Sequence, residues 1–443
     1  MPKGLKIASE TIQDFQTNRF RVEATSTDVA TPGSTVSFAL PSDCILDTRS
    51  CAFFFTVTTD TKVVVGKTVA GRIPADATSL ISRMEVKING QVVQQGCSEF
   101  NTVARMLKIM NTSRDKDTSI DRALHHGAIV SDNAAETATL CMSGSDFKGF
   151  LGSCGTRYLD LAAIGQIVIT LTIAGPEVLA FKQTGVSVGT NFDHADARTA
   201  ASQCSFSISN MYMTVATIAV SPMYTDMLRT RLQSENLRIN YHHYDTFQDF
   251  NLSNSSTTKF SLSSQSINKV LVTYRDMNYN QRGIKSHTMS TTLADTLVAN
   301  YFRFMSYDSL SDRVGTARFE LTCNGIKHPQ YQANTMDTLL QLTHAADKVH
   351  ESSAGSLITS MTQYNQGMFI FATALDMPDQ PVNVISGENS RGINSAYSAH
   401  VHSQLIPAAV PEDQNTGSIS SFVCVQSTHT LVVGLGKSIV VDA

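Results

Sequence analysis

Two histidines with a single residue between them, His400 and His402, have a spacing that suits a metal, because a β-strand turns both imidazoles to one face. A metalloenzyme built on that strand needs a Glu within the next four or five residues and a further His from another segment. Ser403, Gln404, Leu405, Ile406 and Pro407 supply no acid, Glu412 lies too far on, and no second motif adds the last ligand. His125-His126 and His242-His243 are adjacent pairs, which a strand sends to opposite faces. The segment GLGKS (434–438) looks like the end of a phosphate-binding loop, yet Leu431 stands where the first Gly is required and no room remains for the helix that should follow. Neither GSDFKG (144–149) nor LGSCG (151–155) has the Gly-x-Ser-x-Gly spacing of a nucleophile elbow. Asp193, His194 and Asp196 sit in a Gly- and Asn-containing stretch that reads as solvated polarity. No catalytic, cofactor-binding or metal-binding residue is assigned, and the expectation is a protein that is not an enzyme.

Composition points the same way. At 443 residues the chain is long enough for two or three domains. Charged residues make up 16% of it, with 34 Lys+Arg against 38 Asp+Glu and a net charge of −4. Soluble proteins average roughly 25% charged, so part of this exterior is expected to be covered by other subunits. A hydrophobic fraction of 42% and a mean hydropathy of −0.07 exclude both a membrane-embedded and a disordered chain. No basic run could coat phosphates: the opening MPKGLKIASETIQDFQ sets Lys3 and Lys6 against Glu10 and Asp14. Sequence-specific nucleic-acid binding is not expected. The same stretch lacks the apolar core of a secretory signal, and the most apolar window (162–181) is broken by Gln166, Gly175, Pro176 and Glu177. The eight cysteines are scattered without a CxxC pair, which predicts reduced thiols at core or near-core positions. The sequons at Asn111, Asn251 and Asn254, lacking a secretory context, read as chance.

The elements that would position any site are mostly strands. Period-two alternation dominates, clearest where Ile167, Ile169, Leu171 and Ile173 share one face and Val168, Thr170 and Thr172 the other. Further strands are predicted at 35–40, 51–57, 83–89, 204–215, 260–263, 270–275, 301–305, 318–324, 368–375, 397–404, 418–426 and in the closing SIVVDA. Helices are few. One fits Glu99 to Met110, through Phe100, Val103, Leu107 and Met110; a second fits Thr335 to Ala345. A third begins SPMYTDMLRTRL, with Ser221 as cap and Pro222 in the first turn.

The chain also resembles itself. Glu85, Asn89, Gly90 and Leu107 fall on Glu320, Asn324, Gly325 and Leu342 at one constant offset of 235 positions. In each half the order is strand, Asn-Gly turn, helix. STVSFALPS (34–42) and TTKFSLSSQ (257–265) correspond upstream. Chance likeness between β segments is one explanation; tandem duplication of a β-sandwich domain of about 200 residues is the other. The predicted class is all-β with a few short helices, as two tandem eight-stranded jelly rolls.

On these features the chain resembles the double jelly-roll major capsid proteins of virophages, polinton-like viruses, nucleocytoplasmic large DNA viruses and tectivirus-like phages. The carriers are RMEVKINGQVV with the helix after it, GTRYLDLAAIGQIVITLTI, ISNMYMTVATIAVSPMYTDMLRTRL, FELTCNG, TMDTLLQLTH and GMFIFATAL. Where several relatives carry a Tyr-Pro-Tyr-like sequence at the start of the first helix, this chain has CSEFNTVARML. The resemblance implies an N-terminal arm at 1–17, a first roll at 18–220, a linker helix at 221–236 and a second roll at 237–443. It implies a homotrimeric pseudo-hexagonal capsomer that tiles an icosahedral shell and meets neighbouring capsomers and minor capsid or penton proteins. An inner membrane beneath the shell is compatible with it. The location it implies is the virion, assembled inside the host cell and not secreted. Thr58 to Ser79, Asn111 to Thr137, Lys182 to Gln203 and Asp276 to Leu297 are the candidate tower loops. Two other classes compete: a bicupin-like metalloenzyme using His400 and His402, and a receptor- or glycan-binding β-sandwich fibre protein.

Overall fold

The computed structural model describes residues 16–125, 136–183, 199–276, 279–280, 301–306, 317–346, 357–377, 382–391, 396–402 and 419–443, apart from a few positions within these ranges. The first half holds β1 (Gln16–Glu23), β2 (Val29–Ala30), β3 (Thr35–Ala39), β4 (Ile45–Thr59), β5 (Thr61–Val64), β6 (Lys67–Arg72), β7 (Ile81–Ile88) and β8 (Gln91–Gln94). After helix α1 (Phe100–Asn111) come β9 (Thr137–Ser143), β10 (Tyr158–Asp160), β11 (Ile167–Ile173), β12 (Ala180–Gln183) and β13 (Phe206–Ala219). The second half holds β14 (Leu237–Leu252), β15 (Ser255–Phe260), β16 (Ile267–Asp276), β17 (Arg318–Cys323), β18 (Ile326–Ala333), α2 (Thr335–Ala345), α3 (Met361–Gly367), β19 (Phe371–Ala374), β20 (Tyr397–His402), β21 (Ile419–Gly434) and β22 (Ser438–Asp442).

In the first half the sheets run β1-β13-β4-β10, with β9 also on β4 and β2 on β13, and β3-β11-β7-β8; β12-β6-β5 is a small third sheet. In the second half they run β14-β21-β16-β19, with β22 on β21, and β15-β20-β17-β18. Take the eight principal strands of each half in chain order, counting β9 and β10 as one edge. Both halves then read first-eighth-third-sixth in one sheet and second-seventh-fourth-fifth in the other. This is the jelly-roll arrangement, and it occurs in each half.

The expected alternation is what closes each roll. On β11 the four aliphatic residues are buried and the residues between them half-buried. Phe53 of β4 meets Phe38 of the facing sheet edge-on at 5.4 Å, and Tyr274 of β16 lies 6.0 Å from Phe319 of β17. The two Asn-Gly turns are equivalent in conformation: Asn89 and Asn324 have φ of 49° and 50°, and Gly90 and Gly325 have 81° and 86°. Such left-handed pairs match the twist of a two-residue hairpin.

Several expectations need correction. Thr58 to Ser79 is not an open loop, since it contains β5, β6 and a 3-10 turn at Ala77–Leu80. The described part of Asn111 to Thr137 is largely short helical turns. Residues 301–305 form no strand: Phe304 and Met305 make only isolated bridges, to Met368 and Tyr274. The strand expected at 418–426 runs on to Gly434, and opposite it lies β14, a strand over 237–252 that is not among those expected. Most of 182–203 and 276–297, Cys97, His126, Asp193, His194, Asp196, Ser221 and Pro222 lie outside the described residues, as do 1–15; Gln16 and Thr17 already belong to β1. Between β13 and β14, Met223, Asp226, Met227, Thr230 and Arg231 are helical.

Candidate functional site: the seam between the rolls

The structure spreads out the residues whose spacing suggested chemistry. On β20, Tyr397, Ala399 and Val401 are buried in the roll, so His400 and His402 project with Ser398 from the opposite face. Their rings stack 6.1 Å apart. His400 Nδ1 lies 2.7 Å from Thr257 Oγ1 and its Nε2 lies 3.0 Å from Ser398 Oγ, so hydroxyls occupy both nitrogens. Burial lowers the His400 pKa against the pull of Glu320. Among the described residues, no group of three or more His, Cys, Asp or Glu is placed to hold a metal ion. GLGKS is the hairpin turn between β21 and β22, with Gly436 and Lys437 at φ 73° and 61°. Cys51, Cys141, Cys204, Cys323 and Cys424 are buried thiols outside any disulfide, and burial pushes Cys51 and Cys323 up to about 12 and Cys141 up to about 11. No described helix is long and apolar enough to cross a membrane.

The dense chemistry lies instead where the two rolls meet. Helix α1 belongs to the first roll, yet Val103, Met106, Leu107, Ile109 and Met110 join the buried cluster of the second, with Leu271, Phe422 and Cys424. In return Ile239 and Tyr241 of β14, with Leu431 and Val433 of β21, join the cluster of the first. Tyr241 donates its hydroxyl to Val93 O (2.7 Å) and meets Phe150 edge-on at 5.1 Å. Backbone ties follow: His242 N donates to Ser153 Oγ (2.8 Å) and Gly155 N to Asn240 O (2.8 Å).

At the centre stands an ion pair. Arg275, at the end of β16 and 1% exposed, donates to Glu99 Oε2 at 2.8 Å and to Thr102 Oγ1 at 3.3 Å. Tyr279 donates to Glu99 Oε1 (2.8 Å), as does Gln248 (2.6 Å), and Thr102 donates to Oε2 (2.8 Å). The guanidinium lies 3.6 Å over the Tyr279 ring and 5.2 Å from the Phe422 centroid. Burial pushes the Glu99 carboxyl up, but Arg275 and the three hydrogen bonds outweigh it and hold it below the ordinary carboxylate range. Glu99 is the N-cap of α1 in a left-handed conformation (φ 60°), and its carboxylate accepts no backbone N–H of its own helix. Asn334 caps α2 in the ordinary way, through a capping box with Asp337. The first roll therefore spends its capping acid on the second. A buried pair of this kind adds little net stability over apolar side chains of the same volume, whereas removing one partner is costly. The sequence marked Glu99 as a helix start and Arg275 as a strand end, but nothing in it couples positions so far apart.

No family model and no curated protein matches the chain by sequence. By structure, its double jelly roll is shared with capsid proteins of viruses. The PBCV-1 virus capsid model superposes at a TM-score of 0.60 with 14% identity, over 96% of each chain. PBCV-1 VP54, fitted into a reconstruction of the virophage Sputnik, gives 0.59 with 12% identity over 97% of each. The Faustovirus major capsid protein gives 0.58 with 10% identity, over 95% of this chain and 91% of that one. At such identities the likeness establishes the fold.

Proposed function

We propose that the chain is a viral major capsid protein and not an enzyme, building a shell through its own surfaces without substrate, metal or cofactor. The observation that carries this reading is the repeated strand order of two rolls joined by a buried seam, matching capsid chains from end to end. On this reading the residues before β1 are an arm, the first roll runs from β1 to 220, 237–443 is the second roll and 221–236 the linker. Three copies form a pseudo-hexagonal capsomer, six similar sandwiches in all, which tiles an icosahedral shell in the virion. Neighbouring capsomers and minor or penton proteins are its partners, and assembly takes place inside the host cell. The low charge of the chain supports extensive lateral burial, since the cores of subunit interfaces are depleted of charge.

The test is the purified protein. Three copies of 48.1 kDa predict a particle of about 144 kDa by light scattering, with a hexagonal outline in electron micrographs. A stable monomer in both measurements overturns the proposal. Stoichiometric metal lost on replacing His400 and His402 would move the reading to a metalloenzyme.

A further inference from the structure

A polar row interrupts the seam where one face of β14 and β21 passes from the core of the second roll to that of the first. By register, Phe247 stands opposite Val423, Asp245 opposite Val425, His243 opposite Ser427, Tyr241 opposite His429 and Ile239 opposite Leu431. These alternate residues share a face. At one end Phe247, Val423 and Val425 pack in the second roll; at the other Tyr241, Ile239 and Leu431 pack in the first. Asp245, His243, Ser427 and His429 lie between the two cores.

The row is closed. His243 and His429 are 9% and 8% exposed, and their rings lie nearly parallel, at 18°. His243 Nε2 is 3.5 Å from Asp245 Oδ1. Its Nδ1 and the Oγ of Ser427, directly opposite, are buried and have no hydrogen-bond partner among the described residues. Orphaned polar atoms in a buried row mark a weak point in the packing. On the first-roll side the row is backed by Tyr241, whose hydroxyl is committed to Val93 O and whose ring meets Phe150. From the remaining neighbours, Asp442 of β22 faces the row paired with Arg391, in the segment before β20. Burial, His243 and Arg391 oppose a proton on His429; Asp245 and Asp442 favour one. A charged ring here gains water when the strands part from the first roll.

We propose that this row is an acid-operated latch of the seam: a proton on His429 is accommodated by local opening, in which β14 and β21 part from the first-roll turn Phe150–Ser153 while α1 and the Glu99–Arg275 pair stay docked. The closed seam holds His429 neutral, so the open form alone takes up the proton below its ordinary value of about 6.5. The contribution to closure is complete at neutral pH and is lost as pH falls, with the open fraction rising about tenfold per pH unit. The latch lies within one chain and does not depend on the capsid reading; on that reading, acid loosens the subunit between its two rolls before either unfolds.

The test is amide hydrogen exchange on the full chain from neutral pH to about 5, with rates corrected for their intrinsic pH dependence and mass followed by light scattering in the same samples. Two amides report the opening directly: Gly155 N, which donates to Asn240 O, and His242 N, which donates to Ser153 Oγ. Between about pH 6.5 and 5 their protection should fall about 30-fold, while amides of β11 and β16 keep theirs. His429→Gln should abolish the fall. So should His429→Phe, which keeps a ring in the stack and replaces the Gln variant if that one does not fold. Unchanged protection at Gly155 and His242, a loss shared equally by β11 and β16, a loss confined to β22, or a loss that persists in the variants overturns the latch. A change of mass with both amides still protected places the acid sensitivity between copies and overturns it as well.

Discussion

His429 is a side chain whose chemistry the fold changes strongly. It stacks on His243 at 4.4 Å and meets Tyr241 edge-on at 5.9 Å. Burial, reinforced by the neighbouring His243 and by Arg391 and opposed by Asp245 and Asp442, holds its pKa at about 3. The unfolded chain takes up a proton on this ring below about pH 6.5 that the folded chain refuses. Stability is therefore highest above that value and falls as pH drops toward 3. One differential proton is worth about 1.4 kcal/mol per pH unit, so the loss between pH 6.5 and 5 should approach about 2 kcal/mol. Urea unfolding at the two pH values should show it, and His429→Gln should flatten the dependence in this window, above the range where most carboxylates titrate. An unchanged slope in that variant would assign the acid sensitivity elsewhere. His242 and His243 are adjacent, so any strand through them turns the two rings to opposite faces; that His243 meets His429 depends on the register of β14 against β21, which places Tyr241 opposite His429.

At the scale of elements, local rules read well wherever one face of a strand meets solvent. The β11 stripe, both Asn-Gly turns and the whole span of α2 were legible because backbone preference and burial agree there. Gly90 and Gly325 make the turns quantitatively testable. Neither has a neighbour within 4 Å of where a Cβ would stand, so substitution carries a conformational cost alone. Gly90→Ala and Gly325→Ala should each cost about 1–2 kcal/mol in chemical denaturation, with Asn, which tolerates positive φ, costing less at either position. Equal losses for Ala and Asn would mean that the turns are not held by φ. The alternation signal failed on β14 and the second half of β21. On β21, Gln426, Ser427, Thr428, His429 and Thr430 are all buried, so residues of both faces are covered there. Polar residues on such strands find partners, as Gln248 finds Glu99 and Thr246 the hydroxyl of Ser98, so the pattern resembles a loop when read along the chain.

For the whole molecule, the reciprocal packing of α1 into one cluster and of β14 and β21 into the other makes separate unfolding of the rolls costly. Opening the seam would expose Val103, Met106, Leu107, Ile109 and Met110 and strip Arg275 of its partners. Calorimetry should give one transition for both rolls. Arg275→Ala, which leaves the Glu99 carboxylate buried and unpaired, should lower stability by about 3–5 kcal/mol or split the transition in two. Two well-separated transitions in the wild type would show that the seam does not couple the rolls.

The amino-acid sequence by itself determined the β class and the internal repeat with its turns, because each depends on residues close together in the chain. Alternation and turn chemistry act over a few residues, and two copies of them announce two rolls. Only the tertiary structure decided that the rolls share cores through α1, that Glu99 serves Arg275 in place of its own helix, and that Met336 and Leu340 of α2 are exposed while Thr338 and Leu342 are buried. Those outcomes depend on which sheet face meets which helix, a matter of register and packing between segments far apart in the chain.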